Sequence, residues 1–434
     1  MRLTIEKLVY GGDGLARLPG DERGPGKAVF VPFVIEGETI DASLVEQKRG
    51  FARAELTEVI ESSPQRTQPD CPYFQRCGGC QYQQISYEHQ LRTKAVILRE
   101  NLRRLAKIEL DAELWVHPSP PWNYRNRARL KVRSGADFAI GYYRWNSHEL
   151  QPVERCPISS PLINRAITAF ERLKSAPNLD AIREVEFFAD HDDNQLLVEV
   201  DCKPDIRPKA AEHLAQLIKE TLPEIAGVVV LQGEADGQKP FGTKQIAQVG
   251  MEQLQYQVNE LSYRVSAGAF FQVNRYQIAK LVELVTTGCS GASALDLYAG
   301  VGLFSKVLPR SFAQVTAVEP SPTAHADLLY NSTPNVKAVR ATTEQFLKGA
   351  GGQLRPTVVV VDPPRSGLGE MVVRSLAGLD AERIVYVSCD PATLSRDLAG
   401  LLGAGYGVQQ AHVVDLFPQT YHVESVFHLT RAGR

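Results

Sequence analysis

A cysteine on the turn between a strand and a helix is a candidate nucleophile. Ile384 to Val387 is a short apolar run, Pro391 ends the extended path, and Ala392 to Leu402 has helical spacing, so Cys389 falls between the two elements. In open α/β sheets that edge binds ligands, because the helices on both faces leave a crevice there. Taken alone, the turn leans slightly toward the plainer reading, a small buried hydrophobe. The neighbouring strands shift the balance. Ala294 to Tyr298 runs into Ala299-Gly300-Val301-Gly302 and then a helical pattern from Leu303 to Leu308. Val315 to Val318 ends in Glu319, roughly 20 residues downstream, where an acid accepts hydrogen bonds from a ribose diol. Thr357 to Val361 ends in Asp362-Pro363-Pro364-Arg365. Four strands therefore bring Asp296, Glu319, Asp362 and Cys389 to one edge.

A dinucleotide enzyme places G-x-G-x-x-G under its pyrophosphate. Only Gly300-x-Gly302 is present here, which favours a ligand without pyrophosphate. S-adenosylmethionine fits, with a ribose diol for Glu319 and an amino acid end that needs close backbone approach at Gly300. Farther on, Val408 to Phe417 and Val423 to Thr430 are joined without a long helix, which predicts a terminal antiparallel hairpin on the sheet edge.

Asp-Leu-Tyr-Ala-Gly-Val-Gly at 296–302, Asp-Pro-Pro-Arg at 362–365, Val-Ser-Cys-Asp-Pro-Ala-Thr-Leu-Ser-Arg-Asp at 387–397 and Phe-Pro-Gln-Thr-Tyr-His-Val-Glu at 417–424 together resemble the RNA (uracil-5-)-methyltransferase family. The resemblance covers nearly the whole chain. It implies a Rossmann-like α/β S-adenosylmethionine methyltransferase domain over 266–434, with Cys389 as nucleophile and Glu424 as base. It further implies a cofactor held by Gln272, Tyr298, Glu319 and Asp362 beside the Gly300 turn, and a target uracil stacked on Phe270. The chemistry is consistent with these residue types. Uracil C5 is a poor nucleophile, thiolate addition at C6 makes it electron-rich, and a base must then take the C5 proton. His422 is a second candidate base. Leu303 stands where some members carry Asn, and Arg365 where amino-methylating enzymes place an aromatic.

At 434 residues the chain suggests two or three domains, and 44% hydrophobic with 23% charged residues describes a globular protein. Neither an apolar leader nor a run of membrane-spanning length is present, so a cytoplasmic monomer without a membrane partner is expected. A net charge of −2 means that any nucleic-acid binding relies on a local basic surface. Residues 1–60 alternate apolar and polar positions between turns, as a small antiparallel barrel does. The resemblance makes it a TRAM domain, an OB-like RNA-binding barrel. Residues 61–265 are expected to form a central α+β domain.

That central stretch opens with Cys71-x5-Cys77-Gly78-Gly79-Cys80, a spacing suited to a metal site, with Cys156-Pro157 as the best fourth ligand. All-thiolate ligation allows zinc or an iron–sulfur cluster. The resemblance selects a structural [4Fe-4S] cluster. Cys202 and Cys289 read as core residues. From Arg92 to Arg133 there are eleven Lys/Arg against four Asp/Glu. Period two puts Arg127, Arg129, Lys131 and Arg133 on one strand face, where an RNA backbone is preferred to internal carboxylate pairing. Arg129 and Arg133 are thus candidate RNA contacts.

Three other readings compete. An RNA cytosine-5 methyltransferase carries another cysteine after its proline motif, and Asp362 to Gly367 has none. An adenine N6 methyltransferase needs no nucleophilic cysteine. A non-enzymatic RNA-binding iron–sulfur protein would keep the sheet as a scaffold only. Within the uracil-5 reading, the resemblance favours 23S ribosomal RNA over transfer RNA as substrate.

Overall fold

The computed structural model describes residues 1–20, 26–135, 137–233, 244–349 and 353–431. The N-terminal six-stranded sheet encloses Leu3, Ile5, Val29, Val31, Ile40 and Ala52 in one core. Its strand Ala28–Pro32 alternates buried and half-buried positions, as period two requires of a sheet with one face inward.

A seven-stranded sheet follows, and of its pairings only Leu196–Cys202 with Ile225–Gln232 is parallel. Helices Pro161–Glu171 and Pro208–Glu220 close its core through Ile163, Ile167, Phe170, Leu214 and Ile218. The first of these helices is set by Ser160, whose Oγ accepts from the Ile163 amide, and by Pro161 at its first position.

The third sheet has eight strands, in spatial order Val336–Val339, Phe312–Val318, Gly291–Leu297, Val358–Val361, Arg383–Ser388, Glu424–Arg431, Tyr406–Val414 and Leu114–His117. Only Glu424–Arg431 runs antiparallel to its neighbours. Its central strands are apolar without alternation because both faces are covered: Val358 and Val360 join one core, Val359 and Val361 the other.

Three features differ from the sequence-based expectation. The terminal hairpin forms, but its last strand inserts beside Arg383–Ser388 instead of adding at the edge. The edge is Leu114–His117, from the stretch assigned to the central domain. Helix Tyr87–Asn101, from the same stretch, packs Leu98 into the core of the eight-stranded sheet. Finally, 303–307 forms successive turns instead of a helix, with the Leu303 carbonyl taken by the Tyr263 hydroxyl at 3.1 Å.

Candidate active site and its cofactor cleft

Strand register alone gathers most of the chemical groups. Leu297 pairs with both Val318 and Val361, and Val361 pairs with Tyr386, so one residue farther on Tyr298, Glu319 and Asp362 leave the sheet side by side. Ser388 pairs with Ser425 across the antiparallel junction, which sets Cys389 opposite Glu424. Asp390 then caps helix Pro391–Gly403, its Oδ1 accepting from the Ala392 and Thr393 amides at 3.0 and 2.8 Å.

Three left-handed residues, Tyr298, Gly300 and Gly302, with φ of 63°, 55° and 91°, bend the chain away from the first strand end. Gly302 is favoured by its φ of 91°, which strains any residue with a Cβ, and such a Cβ would also lie 2.8 Å from Leu328 Cδ1. Glu319 steadies this turn, accepting from the Gly300 amide at 2.9 Å through Oε2 and from the Ser321 amide at 2.8 Å through Oε1. Tyr298, Gly300, Glu319 and Phe270 line a cleft of about 880 Å³ together with Arg129 and Glu199. A carboxylate, an aromatic ring and a backbone turn open to solvent space suit a ribosyl cofactor of S-adenosylmethionine size. Gln272 donates to Asp362 Oδ2 at 3.3 Å. Leu303 is buried in the core and offers this cleft no polar contact.

The acids are crowded out of water. Burial and then the Asp296 charge push Asp362 up to about 7. Burial and then Asp362 push Glu424 well above the usual carboxylate range, while Arg365 opposes. The Cys389 thiol is pushed up to about 12 by burial, Glu424 and Asp362, again against Arg365. His422, 3.3 Å from Arg365 Nη2, is driven down to about 3 by burial and the cations around it. An imidazole of such low basicity is a weak proton acceptor.

Residues 86–432 match the family model of tRNA (uracil-5-)-methyltransferases, and residues 1–57 that of the TRAM domain. The chain belongs to the tRNA (uracil-5-)-methyltransferase family. It is 36% identical to an uncharacterized RNA methyltransferase of Aquifex aeolicus (strain VF5), over 98% of this chain and 97% of that one. A second such protein, from Caldanaerobacter subterraneus subsp. tengcongensis, is 30% identical over 98% of this chain and 96% of its own. The fold matches the crystal structure of Pyrococcus abyssi tRNA (uracil-54, C5)-methyltransferase in complex with S-adenosyl-L-homocysteine. The TM-score is 0.76 at 24% identity, covering 99% of this chain and all of that one.

In this methyltransferase the cysteines at 71, 77, 80 and 156 converge. All four line one small cavity with Tyr73, Phe74, Gln83, Val153 and Ile158. Burial raises Cys71, Cys77 and Cys80, Cys77 to about 12, and the Cys156 charge raises each of them further. Among the described residues, no three His, Cys, Asp or Glu side chains are grouped so as to hold a single metal ion. Cys202 and Cys289 are buried core residues.

The basic strand of the methyltransferase is not an open cationic face. Arg129 meets Glu186, Glu199 and Glu184 at 2.7, 3.3 and 3.7 Å, Arg127 meets Glu186 at 3.4 Å, and Lys131 pairs with Glu184. Carboxylates from Ile182–Ala189, the neighbouring strand, and from Leu196–Cys202 beyond it thus lie across the cations, so internal pairing replaces the preferred RNA backbone at Arg127, Arg129 and Lys131. Arg127 also donates to the Ala269 carbonyl at 2.6 Å, and Asn126 to the Gln272 carbonyl at 3.1 Å. Through these bonds the strand holds the loop that carries Phe270 and Gln272. Phe270 is 62% exposed in the cleft wall. Arg133, at the strand end, is exposed and donates to the Asp137 carbonyl at 3.0 Å.

Sequence reasoning missed what holds the turn before Glu424. Lys94 and Asp415, both fully buried, are 2.6 Å apart, and Lys94 also donates to the Phe417 carbonyl at 2.9 Å. Tyr87 donates to Asp415 Oδ2 at 2.9 Å. Lys94 carried a signal, since a lysine on the apolar stripe of an amphipathic helix needs a buried partner.

Proposed function

We propose that this methyltransferase moves the methyl group of S-adenosylmethionine to C5 of a uridine in 23S ribosomal RNA through a covalent cysteine adduct. The carrying observation is the register that stands Cys389 opposite Glu424, with Asp362 at the neighbouring strand end. When bound, S-adenosylmethionine supplies an electrophilic methyl group on a sulfonium sulfur. Glu319 holds the ribose diol, Tyr298, Gln272, Asp362 and the Gly300 turn receive the rest of the cofactor, and Asp362 also serves the uracil N3–H. With its thiol proton released to solvent, the Cys389 thiolate bonds to uracil C6, and the electron pair of the C5–C6 double bond shifts toward O4, making C5 nucleophilic. After C5 has taken the methyl group, the Glu424 carboxylate removes the C5 proton. The electrons of that C–H bond restore the C5–C6 double bond and expel Cys389 as a thiolate. The proton affinity that burial gives Glu424 suits it to this transfer. RNA substituted with 5-fluorouridine tests the scheme, because fluorine cannot leave as a proton: a denaturation-resistant protein–RNA adduct through Cys389 is expected, and its absence refutes covalent catalysis.

Cys71, Cys77, Cys80 and Cys156 are proposed to hold a [4Fe-4S] cluster that orders the central sheet. The support is their convergence on one cavity with an all-thiolate donor set. The ribosomal substrate rests on this cysteine set, by the resemblance drawn from the sequence. Mapping 5-methyluridine in total RNA from a deletion strain decides it: loss from 23S ribosomal RNA supports the assignment, and loss from transfer RNA alone overturns it.

A further inference from the structure

The catalytic turn touches a residue from the other end of the chain. Tyr10, in the loop between strands Lys7–Leu8 and Asp13–Arg17 of the N-terminal sheet, places its hydroxyl 3.5 Å from the carbonyl oxygen of Cys389. Burial, followed by the charge of the nearby Asp390 carboxylate, raises the pKa of this phenol. It therefore stays protonated and donates throughout the neutral range. Asp390 is already engaged as the cap of helix Pro391–Gly403. The hydroxyl thus lies between the backbone of the nucleophile and the group that fixes where the following helix begins.

Tyr10 is rigidly mounted. The Val9 amide donates to the Asp13 carbonyl at 2.9 Å and the Gly12 amide to the Val9 carbonyl at 3.2 Å, closing a tight loop around it. Gly12 has φ of 94°, and a Cβ there would sit 3.0 Å from Gln81 Cβ and 3.4 Å from Tyr421 Cδ1. The loop is therefore pressed directly onto the segment after Cys80 and onto the turn before Glu424. The Tyr10 ring meets the Tyr421 ring edge-on at 5.5 Å. Beneath the contact, Leu8 and Ile35 of the N-terminal unit pack with Tyr82, Ile85 and Tyr421.

We propose that Tyr10 is a positioning residue for methyl transfer: its hydroxyl holds the Cys389–Asp390 turn in the shape that presents the thiol, so the TRAM domain forms part of the active-site wall. The inference rests on the covalent role proposed for Cys389. A hydrogen bond to the turn matters most during attack, when sulfur must approach C6 along one direction and small displacements cost large factors in rate.

The test compares full-length wild type with Tyr10→Phe, which keeps the ring and its packing. With a 5-fluorouridine-substituted 23S ribosomal RNA transcript and S-adenosylmethionine, the variant is expected to form the Cys389 adduct about tenfold or more slowly at saturating RNA. RNA and cofactor affinity should stay within about twofold, and the melting temperature close to that of wild type. An unchanged adduct rate overturns the inference. So does weakened RNA binding with an unchanged rate at saturation, which would make the hydroxyl an RNA contact. If wild type itself forms no adduct, the covalent reading fails separately. Iodoacetamide alkylation of Cys389, followed by peptide mass spectrometry, then decides the positioning role: a changed rate in Tyr10→Phe supports it and an equal rate refutes it.

Discussion

Gln90 and Gln419 exchange two hydrogen bonds: the Gln90 side-chain amide donates to Gln419 Oε1, and the Gln419 backbone amide donates to Gln90 Oε1, each at 3.0 Å. Gln419 has a φ of 68°, and its carbonyl accepts from the Gln81 and Tyr82 amides, also at 3.0 Å. The turn before Glu424 is therefore fastened to helix Tyr87–Asn101 and to the segment after the cysteine motif. Gln90→Leu strands the buried Gln419 groups and should destabilise the protein by about 1–3 kcal/mol, measured by denaturant titration. Turnover should fall by a larger factor than S-adenosylmethionine affinity, because the clamp leads to Glu424 and not to the cofactor cleft.

Cys389 and Glu424 act on opposite sides of methyl transfer, so their variants should fail differently. Cys389→Ala is expected to bind S-adenosylmethionine normally, through Glu319 and the Gly300 turn, and to transfer no methyl group. Glu424→Gln should attack and methylate, then stall before elimination, leaving enzyme joined to methylated RNA on a denaturing gel. Turnover by Cys389→Ala would refute the assignment of the nucleophile.

The raised carboxylates make a pH-dependent contribution to stability. Asp362 titrates near 3.8 when unperturbed and at about 7 in the fold. A carboxylate raised in this way contributes stability that is complete below about pH 4 and is lost as pH rises through about 7. Asp362→Asn removes that loss. The variant should melt a few degrees above wild type at pH 8, with the difference shrinking to nothing by pH 4. A constant difference across this range would show that Asp362 does not titrate there.

Arg129 and Arg133 share a strand face but should behave as different kinds of residue. Removing Arg129 leaves Glu186 and Glu199 without their main cation, and a stability loss of about 1–3 kcal/mol is expected with little change in the salt dependence of RNA binding. Arg133→Ala should cost almost no stability. If Arg133 contacts a phosphate, as proposed from the sequence, the slope of log affinity against log salt falls by about one unit. Salt titrations of both variants provide the comparison.

Anaerobically purified enzyme should be brown and contain about four irons per chain. Cys156→Ser should lower iron content and melting temperature together, and Cys202→Ser should leave iron content unchanged. One zinc per chain and no iron would replace the cluster with a simpler site.

The catalytic edge was legible in the sequence because parallel strands covered on both faces must be continuous apolar runs, and each such run ends where its polar residue begins. Val358–Val361 followed by Asp362 is the plainest instance. Cross-strand partners were not legible. Arg129 reads as an unopposed cation until the register with Glu186 is known, and that register is decided by side chains more than fifty residues away. The spacing of Leu303 to Leu308 reads as helix, but in the turns at 303–307 those apolar positions serve packing beside two left-handed glycines. Tyr10 gave no signal at all, since a tyrosine in a short hairpin loop is ordinary until the loop is seen pressed against another unit.

The strand Leu114–His117, which completes the eight-stranded sheet, has a consequence for how the chain can be built. It is synthesised long before Tyr406–Val414, the only strand it pairs with among the described residues, and so must wait, unpaired, through most of translation. Conversely, a fragment beginning at residue 266 would present Ala411 to Val414 as an open edge, with backbone donors and acceptors ready to recruit a second chain. Residues 114–117 thus cover that stretch and become the outer strand in its place, so the sheet that carries Cys389 is not built from one contiguous segment of the chain.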